Sequence, residues 1–98
     1  MLEFSIVVPV YNEAKNIIQL INEIYEQDFK KYNFEVIFID DKSEDNTTNL
    51  LRSVNKKNFK FIINNKNYGQ SYSILKGIQL AKYITIVTLD GDGQNDPS

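Results

Sequence analysis

The sequence predicts an α/β fold in which a parallel β-sheet carries helices on both faces. Short apolar, β-branched runs alternate with segments of helical period in the order βαβαβαβ, and this order is typical of parallel sheets. The apolar runs lack the polar alternation of a half-exposed strand, as expected for strands buried on both faces. The chain of 98 residues has room for one domain, residues 1–98.

Four apolar runs predict the strands. The first run stops at Pro9, so we expect the first strand to end just before it. The polar stretch at residues 28–33 is expected to be a linker into the second strand. The four predicted strands are Phe4–Val8 (FSIVV), Phe34–Ile39 (FEVIFI), Phe59–Ile63 (FKFII) and Ile84–Leu89 (ITIVTL).

Three segments with apolar residues three and four positions apart predict the helices. Asn12 is expected to cap the first helix, with Glu13 in its first turn, and Ser43 is expected to cap the second. The third helix follows Gly69. The side chains expected to be buried are Ile17, Leu20, Ile21, Ile24 and Tyr25 in the first helix, Leu50, Leu51 and Val54 in the second, and Ser71, Ile74, Leu75, Ile78 and Ala81 in the third.

Right-handed crossovers make 3-2-1-4 the expected strand order, which is a Rossmann-like arrangement. Ligands of such sheets bind beyond the carboxyl ends of the strands, here between strands 1 and 4. Six of the seven aspartates fall in the loops after strands 2 and 4, and the loop after strand 1 offers Tyr11 and Glu13. We therefore expect base and ribose contacts near strands 1 and 2, with metal ligands for phosphates at strand 4.

The composition excludes several kinds of site. Because the chain has no cysteine and no histidine, it has no thiol nucleophile, histidine base or zinc site of the usual kinds. Any metal must be held by oxygen, which favours magnesium, manganese or calcium. The net charge of −2 gives no electrostatic footprint for nucleic acid. The sequence also lacks an export signal and the roughly 20-residue apolar run of a membrane span, so we expect a cytoplasmic protein.

The last ten residues, LDGDGQNDPS, concentrate three aspartates and the amide of Gln94 in a turn with two glycines. Carboxylates at this density repel one another unless a cation or hydrogen-bond donors offset the repulsion. Asp90 and Asp92 lie one residue apart in a loop and can both turn toward one hard cation, so they predict a metal-bound phosphate site. The alternative is an acidic turn that only ends a strand. A calcium loop of the EF-hand type is excluded because Asn95 occupies the sixth position, which requires glycine.

Four segments also carry a resemblance to a known family, namely SIVVPVYNE, IFIDDKSEDNT, NYGQSYSILKGIQLA and TLDGDGQNDP. In this order and spacing they resemble the first half of a family 2 inverting glycosyltransferase with the GT-A fold. Within that family they are most similar to the dolichyl-phosphate mannosyltransferase type, which moves a sugar from a nucleotide to a polyprenyl phosphate. The resemblance implies a metal-dependent hexosyltransferase with a UDP- or GDP-linked sugar as donor and a lipid phosphate or a saccharide as acceptor.

The resemblance implies five residues on the nucleoside side of the site. Pro9, Tyr11 and Glu13 match the motif that lines the nucleoside pocket, and Asp41, with Asp40 beside it, matches the pair whose carboxylate hydrogen-bonds the base. The residues alone leave other interpretations open. The aspartate pair could only cap the next helix, Glu13 could be a simple first-turn charge, and Tyr11 could be an ordinary loop aromatic.

The resemblance implies five more residues on the phosphate side. Gly69 and Gln70 match the loop that borders the donor, although Gly69 could equally serve only the turn into the helix. Asp90 and Asp92 match the DXD motif, which binds Mg²⁺ or Mn²⁺ and through it the donor diphosphate. Gln94 matches an amide that joins the metal ligands in the polyprenyl-phosphate branch.

The reaction explains why a metal is expected. Negative charge develops on the leaving diphosphate, and a divalent cation stabilises it. A hydroxyl acceptor normally needs a carboxylate base, whereas an ionised phosphate acceptor can dispense with one. No residue of this chain is identified as that base.

The sequence departs from the family pattern at two places. Lys42 stands where glycine usually follows the aspartate pair, so either that turn differs or the lysine faces a phosphate. The sequence also stops at Ser98, whereas family members continue with an acceptor-binding half and often membrane helices. We therefore expect a donor-binding half that is inactive alone and self-associates through the open edge of strand 4. The full-length protein is expected at the cytoplasmic face of the membrane.

Three alternatives to a glycosyltransferase can be compared with the sequence. A sugar nucleotidyltransferase would need a glycine-rich, basic loop after strand 1, and PVYNEAKN contains no glycine. A phosphoacceptor receiver domain would need its acidic pair after strand 1 and a lysine after a fifth strand, and neither is present. A nucleotide-sugar and metal-binding module without activity is the third alternative.

Overall fold

The computed structural model describes residues 2–91 of the chain. These residues form a four-stranded parallel sheet in the order β3-β2-β1-β4, which confirms the predicted strand order. No helix in this part of the chain is long and apolar enough to cross a membrane. The elements are β1 (Leu2–Val10), α1 (Ile17–Tyr25), β2 (Tyr32–Asp40), α2 (Thr47–Arg52), β3 (Phe59–Ile63), α3 (Gln70–Leu80) and β4 (Ile86–Thr88).

The two central strands, β1 and β2, bury side chains on both faces of the sheet. One face packs against α1 and against Leu51 of α2. The other face presents Val7, Ile37 and Ile39 and is covered by α3, which contacts both central strands. This arrangement confirms the prediction of helices on both faces. It also explains why the central strands read as continuous apolar runs.

The sequence predicts that the first strand ends before Pro9. In the structure this strand continues to Val10. Ser5 donates to Thr85 O and Leu89 donates to Val7 O, so the odd-numbered residues of β1 turn their backbone groups toward β4. The missing N–H of Pro9 therefore lies on the β4 side. Pairing with β4 involves only residues 5–7 of β1, whereas pairing with β2 continues through Val10. Proline can thus occupy a central strand because it lies where one ladder has already ended.

The first two helices begin later than their expected caps. Asn12 has a φ of 53°, which is incompatible with capping a right-handed helix, and α1 begins at Ile17. Ser43 does not cap α2 either, because that helix begins at Thr47. Instead, Asp45 Oδ1 accepts a hydrogen bond from Thr47 N at 2.9 Å. The polar residues at these positions bond across the two loops and do not start helices.

The buried face of α3 was predicted wrongly. The side chains buried against the sheet are Ser73 and Gly77, whereas Leu75 is 60% exposed and Ile78 is 40% exposed. A Cβ at Gly77 would lie 2.3 Å from Val7 Cγ1, so the helix approaches the sheet too closely for a larger side chain. A prediction from helical periodicity assumes that the large apolar side chains are the buried ones. The close contact between α3 and the sheet instead requires small side chains on the buried face.

The last strand is shorter than predicted. It comprises Ile86–Thr88, whereas the apolar run begins two residues earlier, at Ile84, whose side chain is 99% exposed. Leu89 follows the strand and still donates to Val7 O. The strand lies at the edge of the sheet, so only one of its sides is paired.

A buried carboxylate joins the α3–β4 turn to the two central strands. Glu35 is 6% exposed and accepts hydrogen bonds from Ser5 Oγ at 2.6 Å and from Lys82 N. Lys60 Nζ lies 3.0 Å from Glu35 Oε1. Burial alone would raise the pKa of Glu35, but the bonds from Ser5, Lys82 and Lys60 outweigh it and lower the pKa below the ordinary value of 4.5.

Replacing Glu35 by glutamine should therefore destabilise the fold by about 1–3 kcal/mol at neutral pH. Because the folded-state pKa is depressed, this stabilisation is present above pH 4.5 and is lost as the pH falls through the folded pKa. Urea unfolding of both proteins at a series of pH values measures the difference. Glu26→Gln, at an exposed position, is the control. A Glu35→Gln difference that stays constant into acid would contradict this assignment.

Replacing Gly77 by alanine should also destabilise the fold. The Cβ clash with Val7 should cost about 1–3 kcal/mol, which exceeds the gain of about 1 kcal/mol that alanine brings to a helix interior. The penalty should shrink in a Val7→Ala background, where the clashing methyl groups are absent. Thermal unfolding of the single and double variants tests this, with exposed Gln79→Ala as the control. An equal penalty in both backgrounds would exclude the contact as its cause.

Candidate functional site

A cleft of about 140 Å³ lies at the carboxyl edge of the sheet, where β1 and β4 end. Six of the eight predicted site residues within the described part of the chain line it. They come from the end of β1, from the loops after β1, β2 and β4 and from the first turn of α3. The residues that line the cleft are Pro9, Val10, Tyr11, Glu13, Asp41, Gln70, Ser73, Asp90 and Gly91.

A larger groove of about 970 Å³ lies at the opposite edge of the sheet, where Tyr32, Phe59 and Tyr83 contribute to its wall. None of the predicted site residues lines it. Parallel sheets bind ligands beyond the carboxyl ends of their strands. Position and chemistry therefore favour the smaller cleft as the functional site.

Asp41 follows β2 and is the most heavily bonded side chain of the cleft. It is 4% exposed. Its Oδ1 accepts bonds from Tyr68 N and Asn64 Nδ2, both at 2.8 Å, and its Oδ2 accepts a bond from Gly69 N at 2.8 Å. The carboxylate therefore has a fixed orientation, because three donors from the segment before α3 hold it. A carboxylate has about four acceptor positions, so one remains for a further donor.

Asp40 and Gly69 are the two described site predictions that do not line the cleft. Asp40 is fully buried, and its carboxylate accepts bonds from Ser43 N at 2.9 Å and from the Thr48 hydroxyl. Gly69 precedes α3 with a φ of 98°, a conformation that glycine adopts without steric cost. Its N–H donates to Asp41. Gly69 therefore supports the cleft through Asp41, whereas the side-chain bonds of Asp40 go to residues outside the cleft.

Tyr11 and Glu13 come from the loop after β1. The Tyr11 ring is 39% exposed, and its hydroxyl donates to Glu44 Oε1 at 3.2 Å. This bond and partial desolvation raise the pKa of the Tyr11 phenol, so it is protonated at neutral pH. Glu13 N donates to Thr47 Oγ1 at 2.8 Å. The loop after β1 is thus tied to the segment around the start of α2 while it presents an aromatic ring and a carboxylate to the cleft.

Gln70 and Asp90 face each other across the cleft. Gln70 Nε2 donates to Asp90 Oδ1 at 2.9 Å, which joins the first turn of α3 to the end of β4. Gly91 follows at a point of very close approach, since a Cβ there would lie 2.4 Å from Pro9 O. Glycine is therefore required at position 91 for the chain to pass over Pro9.

Asp90 is the only predicted metal ligand within residues 2–91. Asp90 contributes a carboxylate, which is the ligand type that Mg²⁺ and Mn²⁺ prefer. Within residues 2–91, no group of three or more acidic side chains gathers closely enough to hold a metal. Asp92 and Gln94, the other two predicted metal ligands, lie outside the described residues.

Sequence reasoning missed two polar residues, Ser73 in the cleft and Asn64 beside it. Asn64 is 3% exposed, and its Nδ2 donates to Asp41 and to Ser73 Oγ, at 2.8 and 3.0 Å. Ser73 is fully buried and lines the cleft. One signal could have found Asn64, since it follows β3 directly, as Asp41 follows β2 and Asp90 follows the run of β4. The carboxyl end of every strand thus carries a polar residue toward this edge.

Comparison with known proteins identifies sequence relatives of this chain. Residues 5–98 match the sequence model of the family described as glycosyl transferase family 2. The chain is 39% identical over 97 residues to an undecaprenyl-phosphate 4-deoxy-4-formamido-L-arabinose transferase of Aeromonas hydrophila, covering 95% of this chain and 30% of the relative. It is 37% identical over 98 residues to the transferase of the same name from Pseudomonas savastanoi, covering 95% and 29%. The chain thus spans about 30% of the length of these relatives.

Solved structures of GT-A glycosyltransferases share the fold. Staphylococcus aureus TarS 1-349 in complex with UDP has a TM-score of 0.83 at 33% identity, covering 93% of this chain and 28% of that one. Mannosyltransferase PcManGT from Pyrobaculum calidifontis, in complex with GDP-Man and Mn²⁺, has a TM-score of 0.81 at 26% identity, covering 91% and 27%.

Lys42 follows Asp41 with a φ of 59°, so a lysine adopts the backbone conformation that glycine adopts most readily. Lys42→Gly should therefore stabilise the fold by about 1 kcal/mol. Urea unfolding measures the change. Exposed Lys57→Gly, at a residue without positive φ, is the control and should bring no gain. If Lys42→Gly lowers the free energy of unfolding, the backbone strain at position 42 is smaller than the conformational entropy that glycine adds to the unfolded chain, and the prediction fails.

Proposed function

The chain belongs to glycosyl transferase family 2, and we propose that it forms the nucleotide-sugar-binding part of an inverting, metal-dependent transferase that glycosylates a polyprenyl phosphate. Two features of the relatives support this specificity. The curated relatives are named as undecaprenyl-phosphate sugar transferases, and the solved neighbours were captured with UDP, with UDP-GlcNAc or with GDP-Man and Mn²⁺. A nucleoside diphosphate sugar is therefore the proposed donor.

The observation that carries the proposal is the convergence at the cleft. Three carboxylates, those of Glu13, Asp41 and Asp90, come from three different loops and line one cleft with the Tyr11 ring. Carboxylates that share a cleft need hydrogen-bond donors or a cation to offset their repulsion. A nucleotide bound through a divalent metal supplies both, because the base carries N–H donors and the metal carries positive charge.

Asp41 and Tyr11 are the proposed contacts of the nucleoside. The three donors that hold the Asp41 carboxylate fix its orientation before ligand arrives, so its remaining acceptor position is available to an N–H of the base. Pre-orientation lowers the entropic cost of binding. The exposed Tyr11 ring provides a surface on which a planar base stacks.

Asp90, with Asp92 and Gln94, is the proposed ligand set for Mg²⁺ or Mn²⁺. When bound, the cation supplies a Lewis acid that stabilises the negative charge developing on the leaving diphosphate. The bond from Gln70 orients the Asp90 carboxylate and offsets part of its charge. Glycine at position 91 lets the chain pass close to Pro9 directly after Asp90.

The proposed acceptor explains why the cleft needs no base of its own. A polyprenyl phosphate is ionised at neutral pH, so its oxygen can attack the anomeric carbon without losing a proton to the protein. Attack from the face opposite the leaving diphosphate gives inversion. We place the whole protein at the cytoplasmic face of a membrane, where a lipid-linked phosphate meets a nucleotide sugar.

Calorimetric titration with UDP- and GDP-linked sugars, with and without Mn²⁺, tests the proposal. We expect binding heat that depends on the metal and disappears in Asp92→Ala, because removing one carboxylate ligand weakens the cation site by about tenfold or more. Asp28→Ala is the matched control, since Asp28 is an exposed aspartate that lines the groove at the opposite edge of the sheet. Heat that persists unchanged in Asp92→Ala would refute the metal assignment, and absence of nucleotide binding in the unsubstituted chain would refute the proposed function.

A further inference from the structure

Asn12 lies at the centre of a set of hydrogen bonds that joins the loop after β1 to the segment around the start of α2. Its Oδ1 accepts bonds from Glu44 N at 2.7 Å and from Asp45 N at 3.3 Å, and its own N–H donates to Ser43 Oγ at 2.9 Å. Three further bonds run between the same two segments, from Tyr11 OH to Glu44, from Glu13 N to Thr47 Oγ1 and from Ala14 N to Asp45 Oδ2.

These six bonds connect two parts of the cleft wall that are about 30 residues apart in sequence. Tyr11 and Glu13, which flank Asn12, line the cleft, and so does Asp41, which precedes the second segment. Asn12 itself is exposed and does not line the cleft. The hydrogen bonds of Asn12 therefore affect the cleft through the positions of Tyr11 and Glu13.

The backbone of Asn12 is also specific. Its φ of 53° lies in the left-handed region, which asparagine and aspartate tolerate better than other side chains that carry a Cβ. This conformation allows one residue to donate through its backbone and accept through its side chain from the same segment. Only a residue with a short acceptor side chain and tolerance of positive φ can meet both requirements.

Asp45 also contributes hydrogen bonds to the connection between these two segments. It accepts bonds from Thr47 N at 2.9 Å, Thr47 Oγ1 at 2.5 Å and Ala14 N at 3.2 Å. Desolvation alone would raise the pKa of Asp45, but these bonds outweigh it and lower the pKa. The carboxylate is therefore charged at neutral pH and accepts from both segments.

We propose that Asn12 is a positioning residue, which holds Tyr11 and Glu13 at a fixed distance from Asp41 and thereby sets nucleotide affinity. This inference rests on the proposed function, because it assumes that the cleft binds a nucleotide. It goes further by assigning part of the affinity to a residue that is outside the cleft. Asn12 acts through its two neighbours and makes no contact with the ligand.

The test compares UDP and GDP binding, in the presence of MnCl₂, among four forms of the chain. Asn12→Gly keeps the positive φ accessible and removes the two bonds to the side-chain oxygen, so the dissociation constant should rise about tenfold. Asn12→Asp retains both an acceptor and tolerance of positive φ, so its dissociation constant should stay within about threefold of the original value. Asn58→Gly is the matched control, because Asn58 also has a positive φ, 59°, but lines the groove at the opposite edge. It should bind as the unsubstituted chain does.

Binding is measured far below the unfolding transition of each variant, so that loss of stability alone leaves the dissociation constant unchanged. Amide hydrogen exchange at Glu13 and Ala14 gives a second readout and should be faster only in Asn12→Gly. If the unsubstituted chain binds neither nucleotide, the proposed function fails. If it binds, and Asn12→Gly binds equally well, the inference about Asn12 is overturned while the proposed function stands.

Discussion

The cleft depends on one carboxylate. Asp41 emerges from the end of β2, and its two oxygens accept bonds from Asn64, Tyr68 and Gly69, which span the segment from the end of β3 to the start of α3. Its backbone N–H donates to Val10 O at the end of β1. One residue thus fixes three neighbouring segments at the same edge of the sheet. The first turn of α3, with Gln70 and Ser73, reaches the cleft because this carboxylate holds the start of the helix.

The second constraint is the close approach of two glycines to β1, which leaves no room for a side chain. Gly77 allows α3 to pack directly on Val7, and Gly91 allows the chain to pass over Pro9 after β4. The two contacts lie on different parts of the molecule, yet both set the position of cleft residues. Packing of α3 on the sheet places Gln70, and passage over Pro9 places Asp90, so the 2.9 Å bond between them reflects both contacts.

The chemistry of the cleft follows from the strand ends. The polar residues that follow the parallel strands lie at the same edge of the sheet. The result is a concentration of carboxylates on a chain whose net charge is only −2. At Asp41, donors from the chain itself already make three hydrogen bonds to the carboxylate. Asp90 receives a bond from Gln70, and the following DGQ segment adds acidic and amide groups.

The sequence alone determined the order of elements, the strand order and most of the cleft, because parallel strands send the polar residues that follow them to a common edge. Pro9, Tyr11, Glu13, Asp41, Gln70 and Asp90 could be predicted for this reason together with the family resemblance. The tertiary structure decided what depends on contacts between distant segments. Asn12 and Ser43 look like helix caps when read locally, but they bond to each other's loops, 31 residues apart in sequence. Likewise, α3 buries Ser73 and Gly77 instead of its large apolar side chains, since burial there is set by how closely the helix approaches Val7, a distance that periodicity does not contain.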